Sequence, residues 1–337
     1  MSVRYYTHNE PFGLECGGVL PGLTIAYHTF GKFTGVNAVW VCHALTANSD
    51  VADWWPHTVE EGRFLDPAKH FTVCANILGS HYGTTGPLSA DPATGETWYG
   101  DFPFTTVRDM ARAHLLLAAH LGIESVKAAI GSSIGGFQAM EMALLRPGFV
   151  GRLVLIATAA KTSPWCIAFN ESQRMAIESD STFGERNPEA GLTGMKTARS
   201  LGLLSYRGPS GYNATQHEHT DPDKVDGFRA SSYQRYQGEK LARRYNAYSY
   251  HLITRAFDSH NVGRGRGGVE KALASVACPT LVVGITTDII FPVDEQEYLS
   301  GHIPGARLEI LESEFGHDGF LVEHDKLNAI LKPFIDK

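Results

Sequence analysis

Short apolar runs constrain the fold of this chain more than any other feature of its sequence. Seven of them occupy residues 23–27, 38–42, 71–75, 126–130, 153–157, 281–285 and 307–311, and most lack polar alternation. Continuous apolar runs of this length are typical of strands buried on both faces, as in a parallel sheet covered by helices. Helical patterns at 106–121 and 137–145 lie between them. The alternation predicts an α/β fold with a mostly parallel central sheet flanked by helices.

The alternation of strands and helices stops after residue 160 and resumes near residue 278. The intervening stretch is polar, aromatic and helical in pattern, and it includes ESQRMAIESD and SSYQRYQGEKLARRYNAYSYHLITRAF. An interruption followed by resumption is typical of an inserted subdomain, not of a second domain added at one end. We therefore predict a core built from residues 1–160 and 271–337, with a helical lid inserted at 161–270.

The sharpest chemical motif lies in the segment VKAAIGSSIGGFQAMEMAL. Its apolar run leads into Gly131-Ser132-Ser133-Ile134-Gly135, a G-x-S-x-G pattern, and a helical pattern follows at once. Strand, tight turn and helix in this order predict a nucleophile elbow, in which small neighbours allow a strained turn that exposes the Ser133 hydroxyl. Free N–H groups at the helix start also favour an anion there. The alternative is a glycine-rich turn with an incidental serine.

A serine hydroxyl needs a positioned base to act as a nucleophile, and an acid and a histidine follow an elbow serine in that order. Asp288 follows the apolar run of TLVVGITTDIIFP, and His317 follows the next run, in RLEILESEFGHDGF. Each has an ordinary alternative role, Asp288 as a helix N-cap and His317 as a surface loop residue. Because each candidate follows its own strand in the required order, we predict the triad Ser133–Asp288–His317.

The tetrahedral intermediate of acyl transfer needs two N–H donors for its oxyanion. Ile134, directly after the nucleophile, is predicted to supply one donor. Leu45, in the loop that follows an early strand in VWVCHALTANSD, is predicted to supply the other. His43 lies at the start of that loop, and we interpret it as a structural hydrogen-bonding residue beneath the loop, not as a catalytic one.

Longer stretches of the sequence resemble one enzyme family. Homoserine O-acetyltransferases of the α/β-hydrolase superfamily contain segments closely similar to VCHALTANSDVADWW, GSHYGTTGP, IATAAKTSPWCIAFNESQRMAI, SYQRYQGEK, DSHNVGRGRGG and GHDGFLVE. The resemblance covers essentially the whole chain and implies an α/β-hydrolase fold. It also implies transfer of an acetyl group from acetyl-CoA to the hydroxyl of L-homoserine in methionine biosynthesis. The family's catalytic serine, aspartate and histidine fall on Ser133, Asp288 and His317.

The same resemblance implies two substrate-binding residues and a homodimer built through the lid. The family's lid arginine falls on Arg199, in GMKTARSLGLL, and its aspartate after the catalytic histidine falls on Asp318. The chemistry of homoserine supports both residues, because a fixed anion can bind its ammonium group and a fixed guanidinium can bind its carboxylate. A solvated helix charge is the alternative for Arg199. The tyrosine-rich lid also favours an interface. No metal and no permanently bound cofactor are expected, and acetyl-CoA is a co-substrate.

Two stretches depart from the family pattern. The elbow reads GSSIGG, with Ser132 where relatives usually have glycine and Ile134 where they have methionine or leucine. These residues are small or comparable in volume, so the turn should survive while the acyl pocket changes shape. The stretch SYRGPSGYNATQHEHTD lacks the Phe- and Arg-containing pattern common at that point, which leaves contacts to CoA or to a partner subunit open.

Composition argues against several other classes of protein. Lys and Arg number 29 against 36 Asp and Glu, a formal net charge of −7, so the basic face of a nucleic-acid-binding protein is not expected. No stretch approaches the roughly 18 apolar residues of a membrane span, and the N-terminal residues lack an apolar signal-peptide core. Five scattered cysteines without a CxxC pair predict reduced thiols in a cytoplasmic protein.

Two further motifs only weakly resemble ligand sites. His217 and His219 flank Glu218, but their spacing fits a polar lid loop better than a metal site. The glycine-rich stretch at 263–268 lacks the Lys-Ser/Thr ending of a phosphate loop, so we interpret it as a tight connector. Its two arginines remain available to an anion or a partner. Three tryptophans, Trp54, Trp55 and Trp165, are expected to pack around the site entrance.

The residues leave several functions open beside acetyl transfer to homoserine. Within acyltransferases, succinyl-CoA could replace the donor or L-serine the acceptor. A hydrolase or esterase would use the same triad with water as acceptor, and lipases also carry lids. A noncatalytic binding protein of this fold is the remaining class, which an intact triad argues against.

Overall fold

The computed structural model describes residues 2–221 and 223–337. Its strands are β1 (Arg4–His8), β2 (Phe12–Gly13), β3 (Val19–Leu20), β4 (Leu23–Phe30), β5 (Ala38–Cys42), β6 (Phe71–Ala75), β7 (Ala128–Ser132), β8 (Leu153–Ile156), β9 (Thr280–Ile285) and β10 (Arg307–Leu311). Its helices are α1 (Val51–Trp54), α2 (Val107–His120), α3 (Ile134–Leu145), α4 (Pro164–Glu178), α5 (Leu192–Tyr206), α6 (Pro209–Gln216), α7 (Arg229–Ala242), α8 (Ala247–Asp258), α9 (Val269–Ala274), α10 (Val293–His302), α11 (Gly319–Val322) and α12 (His324–Ile335). Within these residues, none of the helices has both the length and the apolar character that crossing a membrane requires.

The described strands form one large sheet and a small hairpin of β2 and β3. The large sheet has eight strands in the order β1-β4-β6-β5-β7-β8-β9-β10. From β6 to β10 every neighbouring pair is parallel, whereas β4 is antiparallel to both β1 and β6. The predicted α/β class with a mostly parallel sheet is therefore confirmed. The sequence patterns missed β1, because this edge strand is largely exposed and carries no apolar run.

Both faces of the sheet are buried, which explains the continuous apolar runs. In β5, Val39 and Val41 belong to one core cluster, whereas Ala38, Trp40 and Cys42 belong to the other. Successive side chains of a strand point to opposite faces, so each cluster covers one face. The cluster that contains Trp40 includes side chains of α2 and α3, and the cluster that contains Val39 includes side chains of α12.

Helices α4 to α8 lie between β8 and β9, and we call them the lid. The lid helices begin at Pro164 and end at Asp258, inside the stretch predicted as an insertion. The two ends of the lid are hydrogen bonded to each other: the Val262 N–H donates to the Ala160 carbonyl at 3.0 Å and the Thr162 N–H to the His260 carbonyl at 3.2 Å. The chain therefore leaves the core and returns to it at the same place. The domain boundaries at 161 and 270 stay predictions.

Ion pairs hold the glycine-rich connector that follows the lid. Arg264 contacts the Glu15 carboxylate through Nε and Nη2, each at 2.9 Å, and Arg266 Nη2 lies 2.6 Å from Glu141 Oε2. Arg108 reaches both carboxylates, at 2.6 and 3.1 Å. Glu141 is buried in α3, the helix that follows Ser133. The two connector arginines are thus bound by carboxylates of the chain itself, a pairing that no local pattern reveals.

Candidate functional site

Ser133 occupies a sharp turn between β7 and α3. Its backbone has φ 56° and ψ −129°, a conformation that non-glycine residues rarely adopt. Two glycines allow the close packing that holds it: a Cβ on Gly131 would lie 2.0 Å from the Gly135 carbonyl oxygen, and one on Gly135 would lie 2.1 Å from that of Cys42. The Thr158 hydroxyl donates to the Ser133 carbonyl at 2.8 Å. The turn has the geometry of a nucleophile elbow.

Asp288 and His317 meet at the carboxyl ends of β9 and β10. His317 Nδ1 lies 2.7 Å from Asp288 Oδ2, and both side chains are buried. The other oxygen of Asp288 accepts the N–H groups of Ile290 and Phe291 at 2.8 and 3.0 Å. These contacts fix the carboxylate and assign the imidazole proton to Nδ1, which leaves Nε2 available as a base.

The environment of His317 makes it a stronger base than an ordinary histidine. Burial by itself lowers the pKa of His317, because it disfavours the charged imidazolium. The charge of Asp288, the hydrogen bond to it and the charge of Asp318 together outweigh burial and raise the pKa of His317 above its usual value. The base is therefore neutral and active only above this raised pKa.

Ser133 and His317 line one cavity of about 480 Å³ between the core and the lid. This volume lies in the range of small-molecule sites. Within the described residues, no hydrogen bond joins the Ser133 hydroxyl to the imidazole; such contacts often tighten only when substrate binds. The structure thus brings Asp288 and His317 into direct contact and places Ser133 at the same cavity.

The loop after β5 supplies the second predicted oxyanion donor, Leu45. His43 Nε2 accepts the Ile77 N–H at 3.1 Å, so Nδ1 carries the proton and donates to the Ala44 carbonyl at 2.8 Å. Burial lowers the pKa of His43 to about 4, which keeps it neutral. The structural role predicted for His43 is confirmed. The Ala44 carbonyl and the Leu45 N–H share one planar peptide, so His43 also orients the Leu45 donor.

A lid arginine that the sequence analysis missed holds the same loop from the opposite side. Arg244 Nη1 donates to the Thr46 carbonyl at 2.6 Å and also contacts the Tyr82 hydroxyl. Thr46 directly follows Leu45, so the lid restrains the loop that carries this donor. Sequence does not distinguish Arg244 from the adjacent Arg243, because the orientation of the α7 end decides which side chain reaches the loop.

The two predicted substrate-binding residues line the same cavity as Ser133. The Arg199 guanidinium lies over the Tyr206 ring, 5.7 Å from its centroid, and it makes no ion pair with any residue that the structure describes. Asp318 is paired with Arg207, whose Nε lies 3.2 Å from Asp318 Oδ2. The cavity thus presents a guanidinium without a carboxylate partner and a carboxylate with one cationic neighbour.

The remaining sequence candidates lie outside the catalytic contacts. Trp54 lines the cavity as expected, but Trp55 is buried in the core and donates to the Phe320 carbonyl at 2.8 Å, so its predicted place at the entrance is wrong. Trp165 is an exposed lid residue that donates to the Ile289 carbonyl at 2.7 Å. Glu218, between the two lid histidines, is paired with Lys224. In residues 2–221 and 223–337, no group of three or more His, Cys, Asp or Glu is placed to hold a metal ion.

Asp288→Asn is expected to slow acetylation of Ser133 by p-nitrophenyl acetate by roughly 10⁴-fold, because an amide cannot stabilise the imidazolium. In the unsubstituted protein, the rate should fall as the pH drops through the raised pKa of His317, with an inflection above about 6.5. A pH–rate profile of p-nitrophenol release measures both. Asp294→Asn, at an exposed carboxylate of α10, is the control. Activity of Asp288→Asn within tenfold of the unsubstituted protein would mean that another carboxylate orients the base.

Comparison with solved structures places this geometry in a known fold. A family model described as alpha/beta hydrolase fold matches residues 37–324. The crystal structure of homoserine O-acetyltransferase from Bacillus anthracis superposes with a TM-score of 0.90 at 21% identity, covering 100% of this chain and 98% of the other. The structure of esterase E22 superposes with a TM-score of 0.89 at 21% identity, covering 99% of each chain. At these identities the likeness shows the fold alone.

Sequence similarity is more specific than the fold. The homoserine O-acetyltransferase of Cyclobacterium marinum is 45% identical over 336 residues, which are 99% of this chain and 95% of the relative. That of Chlorobaculum tepidum is 40% identical over 339 residues, with 99% and 94% covered. This extensive similarity and the geometry of the site point to the same family. The chain belongs to the homoserine O-acetyltransferase family of enzymes with the α/β-hydrolase fold.

Proposed function

We propose that this enzyme transfers an acetyl group from acetyl-CoA to the side-chain hydroxyl of L-homoserine, giving O-acetyl-L-homoserine and CoA in methionine biosynthesis. One observation carries the proposal: Ser133 shares its cavity with Arg199 and Asp318, whose opposite charges match the carboxylate and the ammonium group of an amino acid. The names of the relatives support the same donor group and acceptor. No permanently bound cofactor is needed, since the chain's own groups supply each proton transfer.

The first half-reaction forms an acetyl ester on Ser133. His317 Nε2 takes the Ser133 proton while Oγ attacks the thioester carbonyl of acetyl-CoA. The N–H groups of Leu45 and Ile134 bind the oxyanion of the tetrahedral intermediate. When this intermediate collapses, the C–S bond breaks and the imidazolium returns its proton to the sulfur, so that CoA leaves as a thiol.

The second half-reaction transfers the acetyl group to the acceptor. Asp318 holds the ammonium group of homoserine and Arg199 its carboxylate, which directs the acceptor hydroxyl toward the ester. His317 takes the hydroxyl proton as the acceptor oxygen attacks, and it returns a proton to Ser133 Oγ when the ester bond to serine breaks. One product leaves before the second substrate reacts, so the kinetics should be ping-pong.

Three rival activities use the same triad: succinyl transfer from succinyl-CoA, acyl transfer to L-serine, and hydrolysis. The names of the relatives favour an acetyl group over a succinyl group. The lid does not separate transfer from hydrolysis, because esterase E22 superposes on 99% of this chain. The opposite charges of Arg199 and Asp318 in the cavity wall favour an amino-acid acceptor over water.

Incubation with acetyl-CoA alone is expected to add one acetyl group to Ser133, detectable by intact mass. Ser133→Ala should abolish this gain. Ser132→Ala is the matched control: the neighbouring hydroxyl is buried without a hydrogen-bond partner among the described residues, so its loss should preserve labelling.

A matrix of acetyl- or succinyl-CoA against homoserine or serine should give fastest CoA release for acetyl-CoA with homoserine. CoA release that ignores the acceptor would indicate a hydrolase, and intersecting double-reciprocal lines without a mass gain would contradict the acetyl-enzyme.

Arg199→Lys is expected to lower kcat/KM for homoserine by roughly 30-fold or more, because an ammonium group cannot reproduce the two-pronged contact of a guanidinium with a carboxylate. Asp318→Asn should act similarly through the acceptor's ammonium group. Acetylation of Ser133 should be nearly unchanged in both variants, since it precedes acceptor binding. Arg235→Lys, at an exposed position of α7, is the control. A variant that slows acetylation as much as the full reaction would place its residue in the catalytic machinery instead.

We also propose that the enzyme is a homodimer formed through the lid. Large apolar side chains are exposed there by 42% to 61%, which is more than a solvated cap requires: Trp165, Met175, Leu204, Phe228 and Tyr236. Leu204→Asp is therefore expected to weaken self-association in sedimentation experiments. Val36→Asp, which changes an exposed side chain of the core, should not. A mass of one chain, 36.8 kDa, for the unsubstituted protein at micromolar concentration would contradict the dimer.

For the location we propose the cytoplasm. The five cysteines, all within the described residues, are free of disulfides. Thiols of this kind persist in a reducing compartment.

A further inference from the structure

The turn between α5 and α6 packs directly on the loop that carries His317. A Cβ on Gly208 would lie 2.2 Å from the Glu314 carbonyl oxygen, one on Gly211 2.7 Å from the same oxygen, and one on Gly316 2.5 Å from the Gly208 nitrogen. The Gly211 N–H also donates to the Glu314 carbonyl at 3.3 Å. We call this contact, formed by Gly208, Gly211, Glu314 and Gly316, the glycine clasp. Gly208 and Gly211 belong to the stretch SYRGPSGYNATQHEHTD of the lid, and Glu314 and Gly316 to the loop of His317.

The glycine clasp places Arg207 beside Asp318. Arg207 directly precedes Gly208, and Asp318 lies two residues after Gly316. Arg207 Nε is 3.2 Å from Asp318 Oδ2, with 28% of the arginine side chain and 14% of the aspartate side chain exposed. Within the described residues, Arg207 makes no second ion pair, and its buried Nε lacks a well-aligned hydrogen-bond acceptor. The clasp therefore brings the backbone of Arg207 to this loop, and its side chain contacts Asp318 as an ion pair without a well-aligned hydrogen bond.

Three of the charged residues that line the cavity can be arranged around a zwitterion with opposite charges adjacent; Asp53, Lys240 and Arg244 line the cavity as well. Arg207, Asp318 and Arg199 all border the cavity. With the ammonium group on Asp318 and the carboxylate on Arg199, each charge has neighbours of opposite sign. A carboxylate offers two oxygens, so Asp318 can hold Arg207 on Oδ2 and an ammonium group on Oδ1.

We propose that Arg207 is a positioning residue of the acceptor site, which fixes the Asp318 carboxylate for the acceptor's ammonium group and balances its charge beside the catalytic base. The proposal rests on the proposed function only where it names homoserine as the acceptor. The charge balance does not depend on which acceptor the enzyme uses.

The groups around His317 predict the direction in which loss of the Arg207 charge shifts the pKa of His317. His317 faces the carboxylates of Asp288 and Asp318 and the hydroxyl of Ser133, and its ring lies 5.9 Å from that of Tyr206, 5.6 Å from Phe291 and 5.7 Å from Phe320. Burial lowers the pKa of His317, and both carboxylates raise it. A guanidinium beside Asp318 offsets part of that field. Removing the guanidinium should therefore raise the pKa of His317 further.

Arg207→Gln is expected to raise KM for homoserine roughly five- to tenfold while leaving KM for acetyl-CoA unchanged. Arg207→Lys keeps the charge but loses the guanidinium shape. Its KM for homoserine should lie between that of Arg207→Gln and that of the unsubstituted protein. Lys196→Gln is the matched control: Lys196 lies on α5 and pairs with Glu239 at 2.9 Å, but it does not line the cavity. A KM for homoserine that stays the same in Arg207→Gln, or falls because Arg207 competes with the ammonium group, would overturn the proposal.

A second measurement needs no homoserine. In p-nitrophenol release from p-nitrophenyl acetate, Arg207→Gln should move the acid limb of the pH–rate profile to higher pH. Arg207→Lys and Lys196→Gln should keep the profile of the unsubstituted protein, and Asp318→Asn, which removes a carboxylate that raises the pKa of His317, should move the limb to lower pH. An unmoved limb in Arg207→Gln would refute the charge balance. If the unsubstituted enzyme does not use homoserine, the proposed function fails while this profile still tests Arg207. If Arg207→Gln does not fold, a moved limb in Arg207→Lys would refute the charge balance instead.

Discussion

The whole site depends on the strained backbone of Ser133. A positive φ at a serine costs about 1–3 kcal/mol, which the surrounding structure must offset. Gly131 and Gly135 make this possible, since only a residue without a Cβ lets β7, the turn and the loop after β5 approach so closely. The turn places Ser133 at the cavity and starts α3 at the next residue, Ile134. The other residues of the site are then positioned relative to this serine.

The lid helps to hold the catalytic loops as well as covering them. Trp165 donates to the Ile289 carbonyl, next to Asp288, and Arg244 donates to the Thr46 carbonyl, next to Leu45. The glycine clasp holds the loop of His317. Each of the three loops that serve Ser133 is therefore in contact with a different part of the lid.

The backbone does not decide between acyl transfer and hydrolysis. An acetyltransferase and an esterase superpose on this chain almost equally well, with TM-scores of 0.90 and 0.89. Both activities need the same nucleophile, base and oxyanion donors, so the shared fold reflects the shared first step. Side chains, not the backbone, set the charge of the cavity wall, and here Arg199 and Asp318 line the cavity with opposite charges.

Local sequence determined where the elements of this protein lie. The apolar runs at 38–42 and 71–75 coincide with β5 and β6, because strands buried on both faces must be apolar throughout. The run at 307–311 coincides with β10, an edge strand that is only partly buried and alternates Leu and Ile with Arg and Glu. Parallel strands end at one edge of a sheet, so the order of serine, aspartate and histidine predicted that Asp288 and His317 would approach each other. Tertiary structure alone decided that Arg244 reaches the oxyanion loop and that Arg207 lies beside Asp318. These contacts join residues far apart in the chain through charge and backbone fit, which leave no periodic pattern in the sequence.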